Sequence, residues 1–155
     1  AHNILPGVTS DEGEGDDWPA LREEILKHDI LIFGTPIWMG QISSVAKRVL
    51  ERMDAFPSET DDQGRMPSYG KLAVSAIVGN EDGAHWASSQ IFQSLNDTGW
   101  TIPPVANCYW VGEAMGSTDF KDLKQVPDKI TQTAAMVASN AAHLAGVLKG
   151  NPFPG

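Results

Sequence analysis

Apolar residues follow two periods along this chain. Ile30-Leu31-Ile32-Phe33 is a short continuous apolar run, and Lys71–Val78 carries another, VSAIV, at its centre. Such runs predict strands buried on both faces. Thr101–Tyr109 holds a third extended segment, with two prolines near its start. Elsewhere the spacing is helical. Asp16 or Asp17 caps a first helix, with Pro19 in its opening turn, that runs to about His28. Ser43 or Ser44 caps a second, through Met53, which Pro57 closes. A third spans about Gly83 to Asn96 and gathers Ile91, Phe92 and Leu95 on one face. The last opens at Pro127 and runs to about Leu148, with Ile130, Ala134, Val137, Ala141, Leu144 and Leu148 at helical intervals. Thr9–Asp17, Pro57–Gly70 and Val111–Val126 read as loops, the last with a short turn at Asp119–Leu123.

Strand and helix alternate, which predicts an α/β fold with a parallel sheet between helices. Ligands of such sheets lie beyond the carboxyl ends of the strands. Three loops fall there: GTPIWMGQ from Gly34, VGNEDGAHW from Val78, and CYWVGEAMG from Cys108. In the first, Gly34 and Gly40 relax the backbone and Pro36 stiffens it, so the turn presents Ile37, Trp38 and Met39. Either a flat apolar ligand covers these three, its polar rim meeting backbone N–H groups of the turn, or they pack on the next helix or a second subunit. In the second, Gly79 and Gly83 let backbone approach a ligand at a helix N-terminus, while Glu81 and Asp82 oppose a phosphate there. The uncharged part of a cofactor fits better; alternatively, Asn80 and Asp82 serve only as turn and cap residues. His85 reads as a surface residue and Trp86 as packing. Tyr109 and Trp110 either wall the same pocket or pack at an interface. Cys108 reads as buried and inert.

Composition narrows the classes. The chain's 155 residues suffice for one domain with its own core, so residues 1–155 are expected to form a single domain. The net charge of −9 argues against nucleic acid as a partner. Seven acids between Asp11 and Glu24 form a solvated face or a lure for a basic partner. No apolar run approaches the ~20 residues of a membrane span. Ala1–Gly7 has neither the basic region nor the apolar core of a secretory leader. The lone Cys108 excludes an internal disulfide framework and a cysteine-rich metal site, so a cytoplasmic location and no metal are expected.

The two turns together resemble a known family. GTPIWMGQISSVAKRVLERM is similar to the flavin-binding loop and following helix of the flavodoxin-like NAD(P)H-dependent oxidoreductases, which include NADPH-dependent FMN reductases and quinone reductases related to the tryptophan-repressor-binding protein. Thr35, Pro36, Trp38 and Gly40 match that loop, with Ile37 and Met39 in its variable places. Gly79, Asn80, Asp82 and Gly83 resemble the second flavin loop, with Glu81 between them. The likeness is good over about Asp29–Asn96, moderate to Tyr109 and loose beyond. It implies a flavodoxin-like three-layer sandwich, FMN held by Thr35–Gly40 and Gly79–Gly83, and NADH or NADPH as donor. It further implies a quinone or other small acceptor and a homodimer or homotetramer. The cofactor carries the redox chemistry, so no catalytic acid or base is expected among the side chains.

The family pattern begins with a strand and a Ser/Thr-rich phosphate loop that this sequence does not show. Ala1–Gly7 resembles the end of the family's second strand, so the first, central strand is expected to be missing and the domain N-terminally incomplete. The chain is then a piece of a longer protein, a borrower of a partner's segment, or a relative that has lost FMN; the first is the expectation. These residues alone should bind FMN poorly. The rival functions are an FMN-binding electron carrier without reductase activity and an interaction module that kept only the fold.

Overall fold

The computed structural model describes residues 2–155. Four helices and four strands follow the order α1 (Trp18–Leu26), β1 (Ile30–Trp38), β2 (Gln41–Ile42), α2 (Ser44–Met53), β3 (Leu72–Gly79), α3 (Ala84–Asp97), β4 (Asn107–Val111) and α4 (Asp128–Gly150). The sheet order is β2-β1-β3-β4. β1 and β3 run parallel, from Ile30 opposite Leu72 to Pro36 opposite Val78. β3 and β4 continue in parallel, from Ser75 opposite Asn107 to Gly79 opposite Val111. Helices flank both faces, as the alternation predicts and as the resemblance to a layered sandwich implies. On one face Phe33, Ile37, Ala73 and Ile77 join Trp18, Leu50, Met53, Ile91 and Leu95 in the main core. On the other, Leu72 and Val74 pack against Val137, Ala141, Ala145 and Leu148 of α4.

Three expectations are corrected. β1 does not stop at Phe33 but runs through the supposed turn to Trp38. Pro36 is tolerated because strand groups alternate sides: Asp29 accepts from Leu72 N–H, so odd-numbered residues face β3 and the nitrogen of Pro36 points away from it. Nor is β1 buried on both faces. Phe33, Thr35 and Ile37 are buried, whereas Ile32 is 68% exposed. The third correction lies at the edge of the sheet. Residues 2–7 contain no strand, and β1 has a second neighbour only at Ile37 and Trp38, through β2. Among the described residues nothing pairs with the outer edge of β1 from Ile30 to Gly34.

The acid-rich segment before α1 keeps most of its carboxylates in solvent, as expected, but it is also clamped to the body of the protein. Arg52 of α2, completely buried, donates to the carbonyls of Leu5 and Thr9 at 3.0 and 3.1 Å. It also pairs with Asp16 at 2.7 Å, both side chains fully enclosed. Arg48 adds a bond to the Ile4 carbonyl, 3.0 Å. Burial disfavours the Asp16 carboxylate, but N–H donors of Glu12, Leu5 and Trp18 together with Arg52 outweigh it and hold its pKa down at about 2.

Candidate functional site

β1 leaves the sheet through a two-residue hairpin. Met39 and Gly40 have φ of 54° and 74°, the paired positive angles of a type I′ turn, and Trp38 lies opposite Gln41. The Thr35 hydroxyl stays inside, accepting from Ser43 N–H at 3.1 Å and donating to Pro36 C=O at 2.9 Å. The hairpin throws its apolar side chains outward: Trp38 is 57% and Met39 91% exposed, while Ile37 stays in the core. Gln41 anchors the base, its Oε1 accepting from Trp86 Nε1 (2.8 Å) and Gln90 Nε2 (3.0 Å) of α3.

The turn after β3 closes directly on this hairpin. Both oxygens of Glu81 accept from hairpin amides, Met39 N–H at 3.1 Å and Gly40 N–H at 3.3 Å. Gly83 (φ 124°) abuts Gly40 so closely that a Cβ there would sit 2.6 Å from the Gly40 carbonyl oxygen. On its other flank the turn grips the segment after β4. Gly112 N–H donates to Gly79 C=O, Met115 N–H to Asn80 C=O, and Asn80 Nδ2 to Gly116 C=O, all within 3.0 Å.

Between hairpin, turn and this last segment lies a cleft of about 410 Å³. Its walls are Pro36, Ile37, Trp38, Val78 and Gly79, faced by Trp110 and Phe120, with Asn80, Glu81, Asp119 and Lys121 as the polar complement. The Trp110 and Phe120 rings are 5.6 Å apart and tilted. Hydrogen bonds from Lys121 to Asp122 and Asp119 raise its pKa and keep it a cation. Two clefts of similar size line the C-terminal tail around Tyr69 and Phe153, but neither receives a residue from the carboxyl ends of the strands.

Eight of the eleven expected residues therefore meet at this cleft or its hairpin clip: Pro36, Ile37, Trp38, Met39, Gly40, Gly79, Asn80 and Glu81. Thr35 is turned inward, and Asp82 and Gly83 lie outside the cleft lining, against Gly40 of the hairpin, where Asp82 accepts from Gly83 N–H at 2.7 Å. Trp110 walls the cleft, one of the two places open to it. Phe120, Asp119 and Lys121 went unnoticed because one aromatic in a polar loop has no periodic signal. His85 instead faces Tyr109, Nε2 and hydroxyl 3.1 Å apart. Cys108 is half-buried, and burial raises its pKa.

The lining suits a flavin ring better than a flavin phosphate. Trp38, Val78, Trp110 and Phe120 offer flat or apolar surface, and Asn80 offers an amide to a polar rim. Lys121, however, is the one cation among the lining residues, already shared with Asp119 and Asp122 at 3.4 and 3.3 Å, and Glu81 adds negative charge. The lining thus forms a ring-sized apolar slot without a phosphate cradle. Among them, no group of three or more metal-ligating side chains occurs, and no helix is long and apolar enough to cross a membrane.

Comparison with known proteins bears on the family and the fold. The chain is 33% identical to the 8-demethyl-8-aminoriboflavin-5'-phosphate synthase of Streptomyces davaonensis, over 89% of this chain and 54% of that protein. It is 36% identical to a Mycobacterium bovis protein named divalent metal cation transporter MntH, over 96% of this chain but 23% of that one. The chain thus spans about half of one curated relative and a quarter of the other. A crystal structure of RosB with the bound intermediate 8-demethyl-8-formylriboflavin-5'-phosphate superposes with a TM-score of 0.81 at 31% identity, covering 89% of this chain and 55% of that one. The Trp repressor binding protein of Bacillus subtilis shares the fold, with a TM-score of 0.51 at 20% identity over 81% and 69% of the two chains. The profile of the NADPH-dependent FMN reductases matches residues 1–115, and the chain belongs to that family.

Proposed function

We propose that this chain is the ring-binding part of an FMN-dependent oxidoreductase that takes electrons from NADH or NADPH and passes them to a quinone or another small acceptor. The observation that carries the reading is the juxtaposition of the hairpin and the Asn80 turn around one apolar slot at the carboxyl edge of the sheet. Trp38 and Val78 would hold one side of the ring, and Trp110 with Phe120 would exclude water around it. Asn80 would meet the polar rim. FMN, when bound, supplies the two-electron chemistry between nicotinamide and acceptor. The family membership and the lone Cys108 favour a cytoplasmic homo-oligomer.

The native protein should purify with flavin absorbance and consume NADH or NADPH in the presence of a quinone. Absence of flavin would point instead to an interaction module. Flavin without nicotinamide consumption would point to the electron carrier, for which the acids at Asp11–Glu24 suit a basic redox partner.

A second reading has its own support. The Streptomyces davaonensis relative is named for making a riboflavin-5'-phosphate derivative, and the RosB structure holds such a derivative as an intermediate. In this reading the slot takes a flavin phosphate as substrate. Mass spectrometry of FMN incubated with the protein, oxygen and an amino donor separates the two: a cofactor leaves unaltered, a substrate leaves with a changed mass.

A further inference from the structure

The Gly79–Gly83 turn touches both walls of the slot, and one side chain makes the junction on the Trp38 side. The amides of Met39 and Gly40 point the same way because both residues have positive φ. Two adjacent outward N–H groups form a small anion-accepting cradle, and the two oxygens of Glu81 fill it at 3.1 and 3.3 Å. Charge-assisted bonds to a carboxylate exceed neutral ones, so this clip resists opening. Met39 is also a non-glycine residue in the left-handed region, where a hairpin tip needs outside support. Next to the clip, Gly83 closes on the backbone of Gly40.

We infer that Glu81 is a positioning residue: its carboxylate clips the Met39–Gly40 hairpin to the Asn80 turn and so sets where Trp38 stands in the slot. The inference rests on the ring-binding reading and deepens it. It also has a chemical corollary. The hairpin amides are engaged by Glu81, so the rim of the ring takes its hydrogen bonds from elsewhere, with Asn80 the amide present in the lining. Asn80 itself is held from the far side by Gly116 C=O, at 2.9 Å.

The test uses the native protein and the variants Glu81→Gln and Glu81→Ala. Glutamine keeps the shape, removes the charge and leaves a single acceptor oxygen. Three quantities are read: hydrogen exchange at the Met39 and Gly40 amides, FMN affinity by flavin fluorescence, and Tm. The expected result is faster exchange at those two amides and an FMN affinity lower by about tenfold in Glu81→Gln and by more in Glu81→Ala, with Tm within a few degrees of the parent. Unchanged exchange, or FMN affinity equal to the parent in both variants, overturns the assignment. So does a fall in Tm as large as that of a core substitution, which would make Glu81 a general structural residue. A parent protein that binds no FMN defeats the ring-binding reading itself, and the exchange measurement then judges the clip alone.

Discussion

Trp38 is the residue on which the slot depends most visibly. More than half of its surface is open, as is that of Trp86, whose indole was expected to pack, but Trp38 also lines the cleft, where a ligand would cover it. Trp38→Ala is expected to weaken flavin retention or raise the acceptor's KM, with far-ultraviolet circular dichroism unchanged; flavin fluorescence titration and steady-state kinetics check this. Wild-type values for both would make the indole purely structural. Arg52 is its opposite, a side chain wholly enclosed whose work is done far from the slot. Arg52→Ala would strand the Asp16 carboxylate without its partner and leave the Leu5 and Thr9 carbonyls without a donor. A loss of about 3–5 kcal/mol in urea unfolding is expected. The same pair sets an acid limit. Because Asp16 has a folded pKa near 2 against an ordinary 3.8, its contribution is complete above about pH 4 and is lost as the pH falls through the folded value. Stability measured between pH 5 and 2 should decline for the parent and more shallowly for Asp16→Asn.

Among the elements, α2 shows how a helix start is written into sequence. Ser43 adopts extended angles and its hydroxyl accepts from Ala46 N–H at 3.2 Å. Its own N–H donates to Thr35, which ties the helix to β1. Ser43→Ala should cost about 0.5–2 kcal/mol by chemical denaturation, and Ser44→Ala much less. The cap of α2 and the periodic faces of α2, α3 and α4 were legible because each relies on local chemistry. The length of β1 was not. Gly34 and Pro36 carry turn signals, and those signals are overridden by pairing with β3, forty residues away. No local pattern reports that Pro36 aims its nitrogen at an unpaired side. The segment 2–17 was likewise illegible: an acidic, glycine-rich run gives no hint that one arginine from a later helix will clamp it.

For the whole molecule, the layered architecture and the gathering of three loops on one edge could be argued from alternation alone, since both follow from strand direction. The Glu81 clip could not, because a carboxylate in a turn is usually solvated and its partners are backbone groups of a residue pair forty positions earlier. The half of the slot built by Phe120 and Lys121 depended on how a long loop folds back, which side-chain periodicity does not encode.

The bare flank of β1 has a practical consequence for anyone handling this polypeptide. Ladder groups from Ile30 to Gly34 and the outward Ile32 form a template on which another extended chain can crystallise, copy upon copy. At low ionic strength the surplus of nine negative charges holds such copies apart. Added salt shortens the reach of that repulsion to about 10 Å at 0.1 M, so turbidity or light scattering of this 155-residue polypeptide should climb with sodium chloride. Ile32→Lys should flatten the climb by placing a charge on the sticky rim.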